Sequence, residues 1–93
     1  MDDESGAVTT LARMPGGCAG VVIAIEAGRG LTARLQALGV RPGRRILKFS
    51  NMLMHGPVML EVDRTQVAVG FGAARRITVR MVGDDANTVD GKP

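Results

Sequence analysis

Apolar side chains fill both registers of the stretch from Cys18 to Glu26, where Ala19, Val21, Ile23 and Ile25 interleave with Gly20, Val22 and Ala24. That pattern predicts a strand with two apolar faces, as a tightly closed small barrel requires. Upstream, Leu11 to Met14 has the length of one helical turn, and Pro15-Gly16-Gly17 ends it in residues suited to a tight turn. Downstream, Gly28-Arg29-Gly30 breaks the strand, and Leu31, Arg34, Leu35 and Leu38 then fall at i, i+3, i+4 and i+7. This spacing predicts one short amphipathic helix whose three leucines seal an open barrel end. Gly39 stands where a left-handed C-terminal cap belongs, and Pro42 follows shortly after.

Arg45 to Ser50 alternates again, with Leu47 and Phe49 opposite Ile46 and Lys48, and predicts a second strand. Asn51 to Pro57 is a loop. Val58, Leu60 and Val62 alternate with Met59 and Glu61 in a third strand, and Asp63-Arg64 links it to Thr65 to Val69 as a hairpin with Val67 and Val69 facing the core. Arginine is unusual in such a turn, where positive φ favours Gly or Asn, so a bulged or longer loop is expected there. Gly70 to Arg76 is too short for a full helix and too rich in glycine for a strand, and predicts a single helical turn before a last strand at Ile77, Val79 and Met81. The fold class is therefore all-β: a small antiparallel barrel of about five strands with one short helix and a helical turn before the last strand. Full or near closure would remove its exposed edges.

Charge separates the ends from the middle. Residues 11 to 82 hold eleven of the twelve Lys and Arg against three acids, Glu26, Glu61 and Asp63, a surplus of eight. The other six acids lie at residues 2 to 4 and 84 to 90. Residues 1–9 and 83–93 accordingly read as disordered acidic tails around a folded body at 10–82. A basic body favours an acidic partner: a protein surface, anionic lipid or nucleic acid. At 93 residues there is room for one domain with a thin core, and Phe49 and Phe71 are its only aromatics. Stacking platforms for single-stranded nucleic acid are mostly missing. One cysteine, Cys18, excludes an internal disulfide, the N-terminus is acidic where a signal peptide is basic, and no apolar run has the length of a membrane span. These features predict a cytoplasmic protein.

The order of signals resembles the FeoA family, small cytosolic proteins of bacterial ferrous iron uptake with an SH3-like barrel. Leu31, Arg34, Leu35, Leu38, Gly39, Val40, Pro42 and Gly43 fit the family's "L..RL..LG..PG" pattern. Gly56-Pro57-Val58 fits its "GP" entry to the third strand, and Val67, Ala68, Val69, Gly70, Ala73 and Ile77 resemble its "ialg..A..I.V" ending. Pro15-Gly16 and Val21 fit the opening, so the likeness covers about residues 11 to 82. Arg64 departs from it by replacing a common glycine, and Arg41 to Lys48 is denser in charge than the pattern requires. The resemblance implies a regulatory or stabilising partner of FeoB, the membrane-bound ferrous iron transporter with a cytosolic GTP-binding domain. A similar barrel forms the C-terminal domain of iron-dependent repressors, but no helix-turn-helix region precedes it here.

Catalytic chemistry needs convergent groups that this chain scarcely supplies. Cys18 has the character of a small buried apolar residue, and the glycine pairs at 28/30 and 70/72 lack the Gly-Lys-Ser/Thr ending of a phosphate loop. The chain is therefore read as non-enzymatic, without cofactor. The family is associated with transition metal ion binding, and Met52, Met54, His55 and Met59 are soft donors, but no acid lies between Glu26 and Glu61 to complete a ferrous site, so no metal site is assigned. The candidate partner-binding residues are Arg34, Arg41, Arg44 and Arg45 beside the helix, with Met52, Met54 and His55 in the adaptable loop. The expected partner is the cytosolic portion of a FeoB-like transporter, with homo-oligomers open through strand edges. The alternative is a nucleic-acid or ribosome-associated barrel that uses the same arginines on phosphate.

Overall fold

The computed structural model describes residues 6–49 and 56–82. In chain order these form β1 (Val8–Thr10), β2 (Ala19–Ile25), α1 (Arg29–Ala37), β3 (Arg45–Lys48), β4 (Val58–Val62), β5 (Thr65–Val69), α2 (Phe71–Ala74) and β6 (Ile77–Met81). All pairings are antiparallel, and the sheet order is β1-β6-β2-β3-β4-β5. Inward side chains from β2 to β6, α1 and α2 meet in one cluster that includes Val22, Leu35, Ile46, Leu60, Val67, Ala74, Ile77 and Val79. A sheet whose inner residues share a single core must curve round on itself, as in a small barrel.

The alternating residues of β4 and β5 fall as predicted: Val58, Leu60, Val62, Val67 and Val69 are all buried. The Leu11–Met14 turn forms, with Met14 N–H donating to Thr10 O at 2.9 Å, and Leu11 and Met14 are both buried. The helical turn before the last strand is α2.

Four features differ from the sequence reading. Val8 and Thr9, expected in the N-terminal tail, belong to a sixth strand, with Val8 opposite Arg80 and Thr9 opposite Val79. Three residues are too few to show a period, and their pairing depends on a strand at the far end of the chain. Among the described residues the hydrogen-bonded ladder does not close, so β1 and β5 each keep one edge unpaired there. Val21, Ile23 and Ile25 do not share a face throughout, because the β2–β6 register shifts between Val22 and Ala24. This bulge reverses the inside-outside parity, leaving Ile23 exposed while Ile25 packs against the core.

The fourth difference is the hairpin turn. Thr65 pairs directly with Val62, without a bulge or extension. Asp63 and Arg64 instead take φ of 53° and 66°, the geometry of a two-residue type I′ turn. The hairpin thus keeps its register by holding an arginine in the left-handed region. Arg64→Gly is expected to stabilise the domain by about 1 kcal/mol, since glycine relieves the Cβ conflict at some cost in unfolded-chain entropy. Urea unfolding would read the gain, and an unchanged midpoint would refute the strain.

Candidate functional site

The helix that carries the candidate rim begins after Gly28 and ends in a Schellman motif. Gly39 N–H donates to Gln36 O at 3.0 Å and Val40 N–H to Leu35 O at 2.9 Å, with Gly39 at φ 96°. This reversal corrects the expected leucine stripe. Leu35 is buried and Leu31 packs partly against the core, but Leu38 is the C-cap residue and 49% exposed. The chain turns back at Gly39, and Val40, fully buried, takes the inward place expected for Leu38.

The predicted arginines differ in their surroundings. Arg34 is exposed one turn before Leu38, and Arg41 is exposed just beyond the cap. Neither has an ion-pair partner among the described residues. Arg44 is instead engaged with Asp63 through its guanidinium, which ties the turn before β3 to the tip of the β4–β5 hairpin. With both side chains substantially exposed, such a pair contributes about 0.2–1 kcal/mol. Arg45 lies on the outer face of the sheet in a cross-strand row Val8–Arg80–Val21–Arg45. Met52, Met54 and His55 lie outside the described residues. A shallow depression of about 160 Å³ beside the row is lined by Arg45, Ile46, Leu47, Glu61 and Asp63. It is smaller than the roughly 300–1,000 Å³ of small-molecule sites.

The residue that sequence reasoning placed on a strand without a role is Lys48. Its side chain is fully buried, and its Nζ donates to three backbone carbonyls, Leu11 O at 2.9 Å, Ala12 O at 3.2 Å and Met14 O at 2.6 Å. Three N–H donors meet three oxygens of one helical turn, which satisfies the turn's orphan carbonyls. Among the described residues no carboxylate accompanies this ammonium, and burial pushes its pKa below the ordinary 10.5. The signal available in the sequence was parity: Lys48 shares its face with Ile46, which is buried. Lys48 acts as an internal clamp, leaving surface recognition to other residues.

Among the described residues no group of three or more His, Cys, Asp or Glu is placed to hold a metal ion, and no helix is long and apolar enough to cross a membrane. Cys18 is a free thiol, half-buried against the core. The architecture is that of an SH3-like domain, whose exposed features are side chains on a helix end and on a sheet face.

Comparison with known proteins makes this class particular. The FeoA domain model matches residues 9–81. The chain belongs to the FeoA family, which is associated with ferrous iron transport. A crystal structure of an iron uptake regulatory protein, FeoA, is 30% identical with a TM-score of 0.76, covering 82% of this chain and 100% of that one. FeoA from Stenotrophomonas maltophilia in complex with zinc, described as a prokaryotic SH3 domain protein and a candidate ferrous iron transport activating factor, is 24% identical. It has a TM-score of 0.66 and covers 76% of this chain and 88% of its own. A manganese-dependent transcriptional repressor shares the fold at 20% identity and a TM-score of 0.75, with 83% of this chain matching 43% of that chain. No curated protein sequence matches the chain.

Proposed function

We propose that this protein is a non-enzymatic, cytosolic accessory of ferrous iron uptake that binds the cytosolic part of a FeoB-like transporter. The observation that carries this reading is the end of α1, where exposed Leu38 lies in sequence between exposed Arg34 and Arg41 and neither arginine has an acidic partner among the described residues. An apolar contact flanked by two guanidinium groups suits a partner surface that pairs an apolar patch with carboxylates. Family membership supplies the iron-uptake setting. The loop with Met52, Met54 and His55 and the sheet arginine Arg45 are proposed as further contacts. Arg44, already committed to Asp63, is assigned a lesser part than the sequence reading gave it.

The test is a titration of the domain against the soluble cytosolic domain of the FeoB-like protein from the same organism, near physiological salt, with a random DNA duplex as control. Saturable binding is expected, weakened about tenfold by Arg34→Ala or Arg41→Ala and less than threefold by Arg44→Ala. No binding to the transporter domain, with salt-sensitive binding to the duplex, would overturn the reading in favour of nucleic acid.

A further inference from the structure

Of the two open sheet edges, β1 is only three residues long, and its outward-facing row includes Arg80. The other, β5, is five residues long, Thr65-Gln66-Val67-Ala68-Val69, without charge, proline or bulge. Natural edges are ordinarily blunted by one of these devices, and β5 has none within its span. Its two outer residues, Gln66 and Ala68, are exposed.

Hydrogen-bond parity shows which groups this edge offers. The two-residue turn makes Val62 and Thr65 a hydrogen-bonded pair, so Leu60–Val67 and Val58–Val69 are bonded pairs as well. The neighbouring strand agrees: Met59 O accepts from Phe49 N–H at 2.9 Å, which turns Met59 toward β3 and leaves Leu60 to face β5. The N–H and C=O of Gln66 and Ala68 therefore point away from β4. They meet no other partner among the described residues.

We propose that β5 pairs with β5 of a second copy of this chain, antiparallel about a two-fold axis at Val67. In that register Gln66 of each copy faces Ala68 of the other as a bonded pair, and the four resulting hydrogen bonds use every outward group of both residues. Centring the axis one residue to either side would leave some of these groups unmatched. An uncharged strand can meet its own copy without like-charge repulsion, and Arg64 falls opposite the second copy's Gly70. The contact is isologous, closes at two copies and joins the two sheets edge to edge. It does not depend on the transporter reading.

Sedimentation velocity on the full chain over a concentration series tests the pairing, together with hydrogen exchange at low and high concentration. The expected result is a shift from monomer to dimer mass, with the Gln66 and Ala68 amides slowing as the dimer forms while Val67 stays as it was. Ala68→Pro removes an outward N–H that β4 does not use, and it should weaken association at least tenfold. Ala68→Lys, which leaves the backbone groups intact but crowds the pair with charge, should do the same and guards against a proline variant that fails to fold. A monomer at every concentration up to about 1 mM, weaker than any useful homodimer, would overturn the proposal. So would a dimer in which the Gln66 and Ala68 amides exchange as fast as in the monomer.

Discussion

Lys48→Met is expected to destabilise the domain by about 3–5 kcal/mol, because three carbonyls lose the ammonium that satisfies them. Methionine keeps much of the length and bulk of the side chain, so a cavity is a minor part of the change. Leu11 O, Ala12 O and Met14 O accept no other hydrogen bond among the described residues, and two of these contacts are fully buried. A domain this small has a total stability toward the low end of about 5–15 kcal/mol, so the variant should be barely folded at room temperature. Urea unfolding measures the loss, and a cost below about 1 kcal/mol would show that the clamp is dispensable.

The same residue makes stability depend on pH in a defined direction. Burial holds the folded-state pKa of Lys48 below 10.5, and unfolding returns the group to its ordinary value. Between those two values the unfolded chain binds a proton that the folded chain has released. Stability attributable to Lys48 therefore rises with pH across that window, and the slope vanishes below the lowered folded-state value, where both states are protonated. Subtracting the profile of Lys48→Met from that of the wild type isolates the effect.

The second large effect is expected at Gly39. Gly39→Val should cost about 3 kcal/mol, from two separate penalties. A β-branched residue at φ 96° is strained in any surroundings, by about 1–2 kcal/mol. A β-carbon there would also lie 3.5 and 3.6 Å from the two methyls of Val62, so the additional methyls of valine would be forced into β4. Gly39→Ala separates the terms, because it carries the strain with only ordinary contact and should lose about half as much. Equal losses in the two variants would mean that the backbone alone sets the cost.

The parts of this fold that were legible in the sequence are those governed by local period. Val58 to Val69 alternates cleanly because one hairpin buries one face, and the α1 stop was readable because Gly39 and Pro42 are chemical signals in themselves. What escaped depends on distant partners. Val8–Thr10 has no period of its own and becomes a strand through β6. The burial of Lys48 follows from a turn more than thirty residues away, and no propensity marks a lysine that will meet three carbonyls. For the site, the identities of Arg34 and Arg41 were readable, but Leu38 was assigned to the core because a helical period does not show where the chain turns back. Arg44 was counted as available because its pairing with Asp63 is a tertiary contact.

One consequence follows from the place of β6 in the sheet. It is the last of the described strands in chain order, yet it sits between β1 and β2 and pairs with β2 over five partner positions. A nascent chain halted before Ile77 can form the local β4–β5 hairpin and α1. It still lacks the strand that joins its N-terminal segment to the rest of the barrel. Assembly of the barrel must therefore wait for β6, and its rate is governed by closure of the long loops that bring β6 between β1 and β2.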